Sequence, residues 1–136
     1  MCLTIDESLT KKGLKGKRVY PNGMYKVWKV LVKTNKHLES LFFKCVWKKN
    51  KWNKSNRISK DITPNEVYDQ RVNLGIHVFL TRKEARNYAR SLYYEKCIPI
   101  VLPVFVNKED LVAVGKNNYS RVSAVFTKVF LPTKST

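Results

Sequence analysis

The amino-acid sequence predicts an α+β fold: a single domain of mostly antiparallel sheet, with one main amphipathic helix at about residues 81–94 and a short helix near 63–70. Three observations lead there. Hydrophobic residues make up 43% and aromatics 12% of 136 residues, enough to bury the core of one domain. Several runs are dense in β-branched and aromatic residues, as strands are. One segment carries apolar residues at helical spacing behind a recognisable cap.

Residues 10–23, TKKGLKGKRVYPNG, are rich in Lys and Gly and close on a Pro-Asn-Gly turn signal, so residues 1–23 read as a flexible basic N-terminal arm leading into a domain at 24–136. MYKVWKVLVK (24–33) and LFFKCVW (41–47) read as neighbouring strands around the polar loop TNKHLES. Between them and Arg57 the chain reads KCVWKKNKWNKSNR, which sets Trp47 and Trp52 among Lys48, Lys49, Lys51, Lys54 and Arg57. Cations suit phosphates, and an indole offers a stacking face worth about 1–3 kcal/mol per base. The same pattern also fits a lysine-rich hairpin whose tryptophans face the core.

In DITPNEVYDQ, Thr63 as N-cap, Pro64 at the first helical position and Glu66 three residues after the cap predict the short helix. IHVFL (76–80) is a strand run, and the following TRKE is a capping box from Thr81 to Glu84. Beyond it, Ala85, Tyr88, Ala89, Leu92 and Tyr93 fall on one stripe, with Arg82, Lys83, Arg86 and Arg90 off it. Cations in a first helical turn oppose the helix dipole unless something anionic offsets them, so Arg82 and Lys83 point to a ligand. His77 is positioned to line the same pocket or to be a structural histidine. IPIVLPVFV (98–106), NKEDLVAVG (107–115) and RVSAVFTKVFL (121–131) read as three strands, and Pro99 and Pro103 push the first toward an edge or a bulge.

Twenty-seven Lys and Arg against ten Asp and Glu leave a net charge of +17, a field that favours polyanions. Residues 1–60 hold sixteen basic and three acidic side chains, and residues 61–136 hold eleven and seven, so the anionic contact is expected mainly on the first half. Cys2, Cys45 and Cys97 are odd in number and widely spaced, which predicts reduced thiols and neither a disulfide framework nor a metal site. No apolar run approaches the roughly 20 residues of a membrane span, and MCLTIDES lacks the order of a signal peptide, so a cytoplasmic location and no membrane partner are expected.

GIHVFLTRKEARNYA (75–89), preceded by SNRIS and VYDQRVNLG, resembles an uncharacterised domain of phages and large DNA viruses that often sits beside pentapeptide repeats. That domain's signature is Gly-Ile-His-Phe-Phe followed by Thr-Arg-Glu-Glu-Ala, and Val78 replaces the first Phe. The resemblance spans roughly residues 55–90 and implies a viral or prophage origin, with the host cytoplasm as location. A weaker likeness to ADP-ribosyltransferase folds rests on Asn87, Tyr88 and Ala89 after the Gly-Ile strand, and implies an NAD-using enzyme with His77 and Tyr88 in the nicotinamide pocket and Glu109 as the acidic residue.

Three functions follow as expectations. The first is a non-enzymatic, phage-type counter-defence accessory protein that binds a nucleotide or nucleic acid without a cofactor. Its ligand would be held through Lys48, Lys49, Lys51, Trp52, Arg57, His77, Arg82, Lys83 and Arg86. Exposed edge strands would permit a homo-oligomer. The second is the NAD-dependent transferase. The third is an inhibitor that docks on an acidic host protein.

Overall fold

The structure, a computed structural model, describes residues 3–33, 38–40, 46–55, 60–62, 70–72, 75–92, 98–117 and 121–133. Within them lie twelve strands, β1 (Leu3–Ile5), β2 (Tyr25–Lys33), β3 (Leu38–Glu39), β4 (Val46–Trp47), β5 (Lys51–Lys54), β6 (Lys60–Ile62), β7 (Gln70–Val72), β8 (Ile76–Val78), β9 (Ile98–Val106), β10 (Leu111–Asn117), β11 (Val122–Phe126) and β12 (Lys128–Leu131). Two helices accompany them, α1 (Glu7–Lys12) and α2 (Arg82–Ser91). The strands form two antiparallel sheets, β6-β7-β1-β10-β11-β8 and β4-β3-β2-β9-β12-β5. The sheet-rich α+β expectation therefore holds, and the short helix near 63–70 falls outside the described residues except for Gln70, which opens β7.

The sheets close on each other at two seams. Phe126 ends β11, Thr127 turns the chain, and Lys128 begins β12 in the other sheet, so the run 121–131 is two strands rather than one. At the second seam, Trp28 and Phe79 exchange both backbone hydrogen bonds at 2.8 Å and so join β2 to the end of β8. The pair is the full extent of that bridge. One residue further along β2, Lys29 points inward with Val27 and Leu31, and its Nζ donates to the His77 carbonyl at 2.7 Å. The ammonium thus takes the place of the next ladder bond where the strands splay, with the Trp47 ring centre 5.7 Å away.

The main core lies between the sheets, where Val27, Leu31, Val78, Val104, Val106, Phe126, Val129 and Leu131 are buried together. Strand alternation sends their neighbours to the outer faces. On the outside of the second sheet, Val30, Phe79, Ala85 and Tyr88 form a separate cluster that seats α2 over β2 and β9. Thr81 caps α2 by accepting from the Glu84 backbone N–H at 3.3 Å. The box is one-sided, because the Glu84 carboxylate turns to Arg121, 3.5 Å away.

Three further expectations are corrected. Residues 3–23, expected within an arm of residues 1–23, are packed into the fold: β1 lies in the middle of its sheet between β7 and β10, and Leu3 and Leu14 are buried. Lys and Gly are frequent in residues 10–23, whereas Leu3, Leu9 and Leu14 decide the packing. Strand β9 is not at an edge in strand order, for it lies between β2 and β12. It tolerates its prolines because Pro99 and Pro103 pair with Val32 and Trp28, and Trp28 bonds away from β9, to Phe79. The missing proline donors therefore face the β12 side, where pairing is confined to Phe105 with Phe130. Residues 107–115, expected as strand throughout, begin with a 3-10 turn, Lys108–Asp110, that carries the chain between sheets.

Candidate functional site

Among the described residues, α2 covers only the half of the second sheet's outer face around Val30 and Val101, and no helix lies on the other half. Lys26 pairs with Phe105, Phe105 with Phe130, and Phe130 with Trp52, so these four side chains form one row across β2, β9, β12 and β5. Trp28 stands two residues along from Lys26 on the same face, and Lys54 opposite Lys128 on the far side. All four aromatic and basic members of the row are half-buried, as side chains lying flat on an open sheet should be. None of the residues of these four strands is acidic.

Local sequence builds both ends of this platform. At one end the Pro21-Asn22-Gly23 turn, with Gly23 at φ 78° and the Asn22 side chain accepting from Met24 N–H at 2.9 Å, folds the preceding segment back along β2. Tyr20 is then bonded through its N–H to the Met24 carbonyl at 2.9 Å and packs edge-on against Phe105 at 5.5 Å. At the other end Asn53 accepts from Lys48 N–H at 2.9 Å and donates to the Lys48 and Lys51 carbonyls at 3.1 and 3.2 Å, which ties the β4–β5 turn. Trp52 emerges from it onto the Phe130 ring, 5.6 Å centre to centre.

Cations lie over three of these aromatics, Tyr20, Trp28 and Trp52. Arg18 is 4.8 Å from the Tyr20 ring centre, Lys26 is 5.1 Å and Arg82 5.4 Å from Trp28, and Lys128 is 4.8 Å from Trp52. An exposed cation–π contact is worth about 0.5–1 kcal/mol, less than the roughly 1–3 kcal/mol of a stacked base. A nucleobase can therefore displace the cation from the ring, and the freed cation can meet the phosphate of the same nucleotide. The contact with Trp28 also gives Arg82 a partner within the protein, which part-offsets its unfavourable place in the first turn of α2.

The sequence-predicted residues divide into four groups. Trp52 and Arg82 belong to the platform. Lys48, Lys49 and Lys51 are exposed around the β4–β5 turn beside it, and Lys83 and Arg86 are exposed on α2. His77 is buried, 7% exposed, on β8, and its carbonyl holds Lys29, so it lines no open pocket. Arg57 lies outside the described residues, as do Cys2, Cys45 and Cys97. Trp47 faces the core, where burial also lowers the Lys29 amine from its usual 10.5 to about 8. Arg18, Tyr20, Lys26, Trp28, Phe105, Lys128 and Phe130 were not singled out from sequence. A period-two reading of YKVWKVLVK places Lys26 and Trp28 together, but pairing between strands distant in sequence brings the others to them.

Lys33 and Lys49 border a cleft of about 130 Å³ floored by Leu38, Ile100, Leu102 and Leu131. Sites that enclose a small organic ligand run to about 300–1,000 Å³, so this cleft does not enclose a nucleotide. Tyr88, one residue of the transferase likeness, is buried against Phe79 at 5.2 Å and has no ligand-facing surface. Glu109 lies in the 3-10 turn. Among the described residues no group of three or more His, Cys, Asp or Glu is placed to hold a metal ion, and no helix is long and apolar enough to cross a membrane. Against known proteins, the chain matches no family model, no curated protein and no solved structure.

Proposed function

We propose that this protein is a non-enzymatic nucleic-acid binder that takes unpaired bases on the open half of its second sheet. The observation that carries the reading is one face of four strands that hold no acidic residue, with Trp28 and Trp52 at opposite ends, each under a cation. Stacking on aromatics combined with phosphate contacts from flexible cations is the general physics of single-strand binding, and it works on an open surface rather than in an enclosed pocket. The net charge of +17 supports it by attracting polyanions over distance. A protein of this kind acts by occupying or shielding a strand, in keeping with a phage accessory role.

Titration with an unstructured oligonucleotide at low salt, read by tryptophan fluorescence, tests this. Binding should quench emission, and Trp28→Ala and Trp52→Ala should each weaken it about tenfold, from the loss of about 1–3 kcal/mol of stacking. Circular dichroism checks that the variants fold. Absence of binding, or affinity unchanged in both folded variants, would refute the proposal.

A further inference from the structure

The basic side chains of α2 are not spread around the helix. Arg82, Arg86 and Arg90 recur at every fourth position, so they lie along one stripe, with Lys83 beside it. The opposite flank carries Glu84, which pairs with Arg121 at 3.5 Å. The helix therefore has an arginine flank and a carboxylate flank. Arg82 shows which flank borders the platform, for its guanidinium lies 5.4 Å from the Trp28 ring centre.

From there the helix runs off the platform, since its buried residues Ala85 and Tyr88 seat on Val30 and Phe79 rather than on the Lys26–Trp52 row. Successive arginines rise about 6 Å, and Arg82 to Arg90 spans about 12 Å. That rise is comparable with the separation of successive phosphates on an extended single strand. The row from β2 to β5 crosses three strand spacings, about 14 Å in all.

The geometry points to a single-stranded path in which bases stack between Trp52 and Trp28 and the backbone then leaves along Arg82, Arg86 and Arg90, occupying roughly five nucleotides, near the low end of single-strand site sizes. This rests on the proposed reading of the sheet face, and it adds an exit, a length and a preference for single strands. In a duplex the base faces are already stacked on one another and cannot lie on the indoles.

The test separates the two proposals. Oligodeoxythymidylates of two to ten nucleotides are titrated against the full chain over a range of salt, with Arg86→Gln/Arg90→Gln as the variant, because glutamine keeps helix propensity while removing charge. Affinity should rise with length to about five nucleotides and then level off. Each lost phosphate contact lowers the slope of log affinity against log salt by about 0.7 on a single strand, so the double variant should lose about 1.4. Tryptophan quenching should persist in that variant. Quenching with an unchanged slope, or affinity that keeps climbing to ten nucleotides, overturns the exit path and leaves the platform standing. Loss of oligonucleotide binding by the unaltered protein overturns both, and duplex bound as tightly as single strand overturns this inference.

Discussion

Replacing Lys29 by methionine removes a charge from the core at nearly constant shape, and its effect should depend on pH in a calculable way. In the folded chain Lys29 is 8% exposed, and its amine donates to the His77 carbonyl at 2.7 Å and has its pKa lowered from 10.5 to about 8 by burial. The folded state thus binds fewer protons than the unfolded chain between about pH 8 and 10.5, so stability rises with pH through that window. Below it the cost of the buried ammonium is complete. At about 1.4 kcal/mol per pH unit it comes to about 3 kcal/mol near pH 7, falls to about 1.4 kcal/mol by pH 9.5, and is nearly gone at 10.5.

Methionine escapes this cost but leaves the His77 carbonyl without its donor, a loss of about 1–3 kcal/mol. At pH 7 the variant should accordingly be equal to or up to about 2 kcal/mol more stable than the parent, as the two terms oppose. The pH dependence is the sharper quantity, because the lost hydrogen bond does not titrate and other groups cancel in the comparison. Urea unfolding of both proteins at pH 7 and 9.5 should show the advantage of methionine shrink by about 2 kcal/mol. A difference that is constant with pH would mean that the amine is not held away from water, and one that grows would reverse the sign of the burial argument.

Two other substitutions test the packing of the first sheet. A Cβ on Gly115 would run into the Thr4 carbonyl of the adjacent strand β1, and backbone cannot swing aside, so Gly115→Ala should destabilise by about 3 kcal/mol in urea unfolding. Loss of less than about 1 kcal/mol would show that β1 is not held there. Ser123 Oγ is fully buried with no hydrogen-bond partner among the described residues, so Ser123→Ala should stabilise by about 1 kcal/mol or leave stability unchanged. A clear destabilisation would reveal a partner for the hydroxyl.

Much of the fold was legible because its signals are local. The β-branched run at 24–33 became β2 almost residue for residue, and Thr81 capped α2 where the TRKE pattern placed it. The Pro-Asn-Gly turn was read correctly as a turn, yet its consequence, Tyr20 folded back beside Lys26, was not. Reading the flanking segment by its Lys and Gly content hid β1, whose three residues, LTI, are too short to show a period. The split of 121–131 at Thr127 leaves only a change of phase in the sequence, from Ala124 and Phe126 facing the core to Val129 and Leu131 facing it.

The site divides along the same line. The sequence by itself determined a strongly basic chain, a segment that interleaves tryptophans with lysines, and a helix with its arginines off the buried stripe, because composition and periodicity are properties of neighbouring residues. Tertiary structure alone decided where the three tryptophans lie: Trp47 is buried beside Lys29, whereas Trp28 and Trp52 lie on the outer face of the second sheet. It also joined Arg18, Tyr20, Lys26, Trp28, Trp52, Arg82, Phe105, Lys128 and Phe130 into one surface and took His77 out of it. The reason is physical. Each strand specifies which side chains share a face, but hydrogen-bonded pairing between distant strands, and the half of the sheet that α2 leaves uncovered, specify which faces meet.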